Sequence, residues 1–221
     1  MMGGIHTDIR GATEAKGLWA AGEAACVSIH GANRLGTNST AECLVYGTVT
    51  GREVAKYVLS SERSVEIPRE RAEAEEKRVL EILSRNGDEC PYEIRRELRE
   101  TMDRDVYVFR TGEGLERALK KLRELRKKFA GIRVEDKGGI YNTNLTEVLE
   151  IDNMLTVAEV IVTSALARTE SRGAHFRLDY PKRDDENWLK HTLAYRGPDG
   201  RPSLSYIPVR ITRWTPTERK Y

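Results

Sequence analysis

The chain has 221 residues, 39% hydrophobic and 33% charged, enough for one ordinary domain or two small ones beneath a heavily charged surface. Its 37 Lys and Arg stand against 35 Asp and Glu, a balance that gives nucleic acid or anionic lipid no electrostatic hold as the main partner. No apolar run approaches the ~18–20 residues of a spanning helix, and Met1-Met2-Gly3-Gly4-Ile5-His6 has neither the basic nor the apolar stretch of a signal peptide.

The first sixty residues are rich in Gly and Ala. Gly17-Leu18-Trp19-Ala20-Ala21-Gly22 predicts a short buried strand bounded by glycines. A glycine-bearing loop is expected from Glu23 to Thr37, then a helix from about Ser39 to Leu59. Gly47, Gly51 and Ala55 share one face of that helix at four-residue spacing. Because Gly costs roughly 1 kcal/mol in a helix interior relative to Ala, the stripe predicts another backbone packed closely against it. Strand, loop and helix form one αβ unit, too small to bury itself without a further sheet.

From about Ser64 the chain turns charged and helical. A helix is predicted from Pro68 to Ser84, stopped by Asn86-Gly87. Pro91 can open the next one at its first turn, with Ile94, Leu98 and Met102 on one side. Leu115, Ala118, Leu119, Leu122, Leu125 and Phe129 form the inward stripe of a third helix. Lys120-Lys121, Arg123 and Arg126-Lys127-Lys128 read as its solvated face. A long helix is expected from Leu145 to Arg168, with Val148, Ile151, Leu155, Ala158, Ile161, Val162 and Ala165 inward. Together these predict an antiparallel three- or four-helix bundle. The last fifty residues are loop-rich, and Tyr206-Ile207-Pro208-Val209-Arg210-Ile211-Thr212 is the best strand candidate, at an edge because of its proline.

Cys26, Cys43 and Cys90 are odd in number and have no CxxC pairing, so three reduced, partly buried thiols are expected. The four histidines lack HxxxH or HExxH spacing, and no metal site is expected.

Chemistry concentrates between Gly22 and Glu42. Glu23, at the end of the predicted strand, can accept hydrogen bonds from ligand hydroxyls; it can equally cap a helix or pair with a base. Asn38-Ser39-Thr40-Ala41-Glu42 opens a helix, where amide donors and the positive dipole end favour a bound anion. Ser39 with Glu42 also fits a capping box, a purely structural explanation of both residues. Arg34, in His30-Gly31-Ala32-Asn33-Arg34-Leu35-Gly36, can grip a carboxylate through its planar guanidinium, or serve as a surface ion-pair residue. His30 alone reads as a hydrogen-bonded structural histidine.

Three strings together resemble the flavoprotein subunits of succinate dehydrogenase and fumarate reductase. The first joins Met2-Gly3-Gly4-Ile5-His6-Thr7-Asp8, Gly17 to Glu23, and His30 to Ser39. The second runs from Arg168-Thr169-Glu170-Ser171-Arg172-Gly173-Ala174-His175 through Asp179-Tyr180-Pro181 to Asp184-Asp185-Glu186-Asn187-Trp188-Leu189-Lys190-His191-Thr192-Leu193. The third is the ending, Val209 to Arg213 and Glu218 to Tyr221. L-aspartate oxidase shares parts of the pattern, but the second string is more similar to the succinate and fumarate branch.

The resemblance implies a mostly helical α+β chain. Residues 1–60 would be the C-terminal piece of an FAD-binding α/β domain, 61–168 an antiparallel helical bundle and 169–221 a loop-rich segment with short strands. It implies FAD contacts for Glu23, Asn38, Ser39 and Thr40, the last commonly a leucine in the family, and a substrate dicarboxylate on Arg34. Electrons would leave through an iron–sulfur subunit, and the chain would be cytoplasmic, touching a membrane only through other subunits. The family's GxGxxG, its flavin-linking histidine and its proton-donating arginine are not in this sequence. A substrate-binding histidine would fall just ahead of Met1. No catalytic residue is therefore assigned, the FAD site is expected to be incomplete, and a separately encoded N-terminal half is an expected partner. The rival expectation is a noncatalytic module that docks an iron–sulfur subunit.

Overall fold

Residues 2–60 and 68–217 are described by the computed structural model. Ser64 to Ile67 and the Glu218 to Tyr221 ending lie outside the described residues. The elements in chain order are β1 (Ile5–His6), β2 (Ala25–Cys26), α1 (Asn38–Ser60), α2 (Arg69–Ser84), α3 (Pro91–Asp105), β3 (Phe109–Arg110) and α4 (Gly112–Ala130). They continue with α5 (Thr143–Ala167), β4 (Phe176–Arg177), α6 (Asp185–Trp188), β5 (Lys190–Arg196) and β6 (Pro202–Pro208).

The core lies where the helical stripes meet. Leu115, Ala118, Leu122, Leu125 and Phe129 of α4 are buried against Ile94 and Leu98 of α3 and Val148, Ile151, Leu155, Ala158 and Val162 of α5. Each fully buried Leu or Ile contributes about 1.5–3 kcal/mol over its exposed state. Asp105 at the end of α3 meets Arg117 near the start of α4, while Glu97 further back meets Lys121 and Lys128. That order makes α3 and α4 antiparallel. Thr111 caps α4 by accepting from the Gly114 amide, and Asn142 caps α5 by accepting from Leu145. The end of α2 joins the core through Ile82. Beyond it, Gly87 lies so close to the Gly131 carbonyl that a Cβ would stand 1.9 Å from that oxygen, so glycine is required there.

The bounds expected for α1, α2 and α5 and the Pro91 start of α3 hold to within two residues. Four sequence readings need correction. The basic face of α4 is only partly a solvated surface: Lys121 and Lys128 converge on Glu97, and Arg126 pairs with Asp152. Residues 17–22 form no strand. Trp19 makes a single antiparallel bridge to Ala12, and the parallel pair is Ile5–His6 with Ala25–Cys26. Gly17 and Gly22, at φ of 85° and 73°, turn the chain at both ends of that stretch. Gly47 and Gly51 face open space, so the backbone expected on their stripe is not one of the described residues, and that reading is left untested. Cys43 and Cys90 are exposed, not partly buried. Finally, the C-terminal strand lies earlier than expected: β6 pairs antiparallel with β5, from Lys190 opposite Pro208 to Arg196 opposite Pro202. The Gly197-Pro198-Asp199-Gly200 turn between them was the available signal.

Candidate functional site

The segment from Gly22 to Glu42 builds a cluster at the mouth of α1. Glu23 sits in a one-turn 3-10 helix, Gly22–Ala24, and its side chain is exposed. Its Oε1 accepts from the Ser39 hydroxyl at 2.9 Å and from Arg34 Nη1 at 2.9 Å. Three residues singled out from sequence therefore meet on one oxygen. The Ser39 bond, and then the Arg34 guanidinium, hold the Glu23 carboxyl below its usual pKa, so it is an ionised acceptor at neutral pH. Asn38 opens α1 and Thr40 follows in its first turn, both exposed.

The capping box is not formed. Ser39 turns to Glu23, and Glu42 is buried with its Oε2 2.5 Å from His30 Nε2. Glu42 thus fastens the loop carrying Arg34 to the first turns of α1. The Asn38, Thr40 and Ala41 amides donate to the carbonyls of Leu35 and Thr37. The helix mouth consequently offers a ligand its dipole and its hydroxyls more than a row of free donors. Ser28 and Thr37 bracket the loop, each at a φ of 66°, a left-handed conformation costing a β-branched threonine about 1–3 kcal/mol. The loop is held in shape by its surroundings.

The second sequence string is a knot of buried charge beside this cluster. Glu170, fully buried, accepts from Arg168, from Arg172 Nε and Nη2 at 2.8 and 2.9 Å, and from the Asp184 amide at 2.9 Å. Arg177, 2% exposed, pairs bidentately with Asp179 and donates through Nη1 to the carbonyls of Ala165, Leu166 and Arg168. It thereby satisfies the end of α5. Asp179, its pKa lowered chiefly by Arg177, also takes the Gly112 amide at the start of α4. His175 Nδ1 accepts from Arg110 at 2.9 Å and Nε2 faces the Arg168 carbonyl at 3.2 Å, which selects the Nε2–H tautomer. Burial, with Arg110, Arg168 and Arg177 close by, pushes His175 down to about 4.

Two joints tie the knot to the Arg34 loop, and sequence reading missed both. The Ala174 amide donates to the Ala32 carbonyl at 2.9 Å, and Ser28 Oγ lies 2.9 Å from His191 Nε2. Gly173, between two helix-forming residue types in a string of charges, was the signal for the first.

Residues 95–221 match the family model described as fumarate reductase flavoprotein C-term, and residues 1–40 match an FAD binding domain. The fumarate reductase flavoprotein subunit of Mycobacterium tuberculosis is 47% identical over all of this chain and 39% of its own length. The succinate dehydrogenase flavoprotein subunit of Rickettsia conorii is 41% identical over 97% of this chain and 38% of its own. A solved structure of FrdA, a point variant from Escherichia coli quinol fumarate reductase, superposes with a TM-score of 0.93 at 40% identity, covering 98% of this chain and 38% of that one. The chain therefore spans under two-fifths of these relatives. The chain belongs to the family of the succinate dehydrogenase and fumarate reductase flavoprotein subunits, whose C-terminal portion it represents.

Proposed function

We propose that this chain, joined to the rest of its FAD-binding domain, works in a flavoprotein that interconverts succinate and fumarate. Arg34 binds one carboxylate of the dicarboxylate, and its fixed guanidinium orients the substrate and offsets its charge. Ser39, Asn38 and Thr40 hold the isoalloxazine edge of FAD against the positive end of α1, and Glu23 accepts from the cofactor's hydroxyls. Bound FAD supplies the hydride-accepting ring. Electrons are exchanged with an iron–sulfur subunit, and membrane contact comes through other subunits; no described helix is long and apolar enough to cross one.

The observation that carries this reading is the convergence of Arg34 and Ser39 on Glu23 Oε1, each at 2.9 Å. A guanidinium that already holds a carboxylate beside a helix start has the chemistry the role needs. The sequence carries no GxGxxG to cradle the pyrophosphate of FAD, so residues 1–221 alone are expected neither to retain FAD nor to oxidise succinate.

The test is complementation. The chain is co-expressed with, or fused behind, the preceding part of the Mycobacterium tuberculosis relative. Recovery of bound flavin with succinate-dependent dye reduction supports the enzyme. Stable association with an iron–sulfur subunit but no flavin would instead make the chain a docking module.

A further inference from the structure

We propose that Gly173 is a positioning residue for Arg34: the Arg172–His175 turn presses on the Ala32 backbone and so sets where the guanidinium meets the substrate carboxylate. This rests on the assignment of Arg34 above.

The contact is backbone on backbone. Gly173 has a φ of +58°, and a Cβ there would stand 2.6 Å from both the carbonyl carbon and the oxygen of Ala32, and 2.9 Å from its Cβ. Any other residue must push Ala32 away. The neighbouring Ala174 amide donates to that same carbonyl at 2.9 Å. Ala32 precedes Arg34 by two residues, so a displacement at one is passed directly to the other.

The pressing element is itself rigid. Arg172 and His175 exchange backbone hydrogen bonds at 2.7 and 3.0 Å. Arg172 is locked to Glu170 and Asp185, and the Ser171 hydroxyl donates to the Tyr180 carbonyl at 2.8 Å. His175 is held by Arg110. On the loop side, His191 at Ser28 supplies a second point of support. The charge knot thus does more than close α5. It is the anvil on which the substrate loop is shaped, and reactive geometry is sensitive to shifts of this size.

Gly173→Ala is compared with Gly200→Ala in the complemented flavoprotein. Gly200, in the β5–β6 turn, has a φ of +79° and open space around it, so the control carries the backbone strain without the contact. Gly173→Ala is expected to raise the dicarboxylate KM roughly tenfold or more, with flavin content and the flavin spectrum unchanged. In residues 1–221 alone, the same variant is expected to speed tryptic cleavage after Arg34, and Gly200→Ala is expected to match wild type in both assays. Gly173→Asn, which tolerates the left-handed backbone but carries the same Cβ, should behave as Gly173→Ala does. If the Gly173 variants do not fold, amide exchange at Ala174 in the wild-type protein decides: slowing on dicarboxylate addition supports the joint, and no change overturns it. A KM within about twofold of wild type for Gly173→Ala, beside a weakened Arg34→Lys, sinks the proposal and leaves the Arg34 assignment standing. An unaffected Arg34→Lys removes that assignment and this proposal with it.

Discussion

Arg34 Nη1 donates to Glu23 Oε1 at 2.9 Å, joining the loop that carries Arg34 to the 3-10 turn eleven residues earlier. The contact uses a single guanidinium nitrogen on a largely exposed carboxylate. Ser39 reaches the same oxygen from α1. A loop, a turn and a helix start are thereby drawn to one point, the geometry from which the functional reading starts.

Replacing that guanidinium is the first prediction. In the complemented flavoprotein, Arg34→Lys keeps the charge but loses the planar fork. Dicarboxylate kcat/KM is expected to fall by roughly a hundredfold, while flavin absorbance per polypeptide stays at the wild-type level. Steady-state kinetics with flavin quantitation checks both.

Arg177 carries the second. Removing it strips three carbonyls at the end of α5 and leaves Asp179 without its charged partner. Arg177→Leu is expected to destabilise the chain by about 3 kcal/mol, read as a lower urea midpoint. Arg69→Ala, which breaks only an exposed helix pair with Glu73, should leave the midpoint unmoved.

The third concerns pH. His175 is held neutral in the fold, its pKa lowered from 6.5 to about 4 by burial and then by nearby arginines. The unfolded state therefore binds the proton first as pH falls. Stability from this group is complete above pH 6.5 and is lost progressively down to about pH 4. The loss is roughly 2 kcal/mol, allowing for solvent screening of a partly exposed ring. Urea midpoints across that range should slope upward with pH in wild type and flatten in His175→Gln.

The fourth contrasts the buried core with the exposed side of α1. Leu125 is fully buried, and Leu125→Ala is expected to cost about 2–5 kcal/mol. Leu44 and Leu59 are 69% and 88% exposed on α1. Leu44→Ser should leave the unfolding of the isolated chain unchanged and improve its solubility, while lowering the yield of complemented, flavin-bearing protein.

The buried core was legible because Leu115, Leu122 and Phe129 repeat at helical spacing and their burial needs only neighbours in the same chain. Arg34, Ser39 and Glu23 were legible as types in a glycine-bearing loop and a helix start, and the resemblance sharpened them. Their mutual bonds were not, because Ser39 and Glu42 fit a local cap that longer-range partners outcompete. Glu42 found His30, and Ser39 found Glu23. The strand expected at residues 17–22 failed for a related reason. Apolar residues between glycines satisfy a strand pattern, yet a lone bridge from Trp19 to Ala12 is all the positive-φ glycines permit. The knot from Arg168 to Asp185 depends on pairings among many like side chains, and composition cannot choose among those.

The most direct test is the flavin absorbance of the purified chain, alone and after complementation, followed by succinate-driven bleaching. The account predicts a colourless isolated chain, and a yellow complemented protein that succinate bleaches in wild type but only sluggishly in Arg34→Lys. Flavin held by residues 1–221 alone, or equally fast bleaching with lysine at position 34, would contradict it.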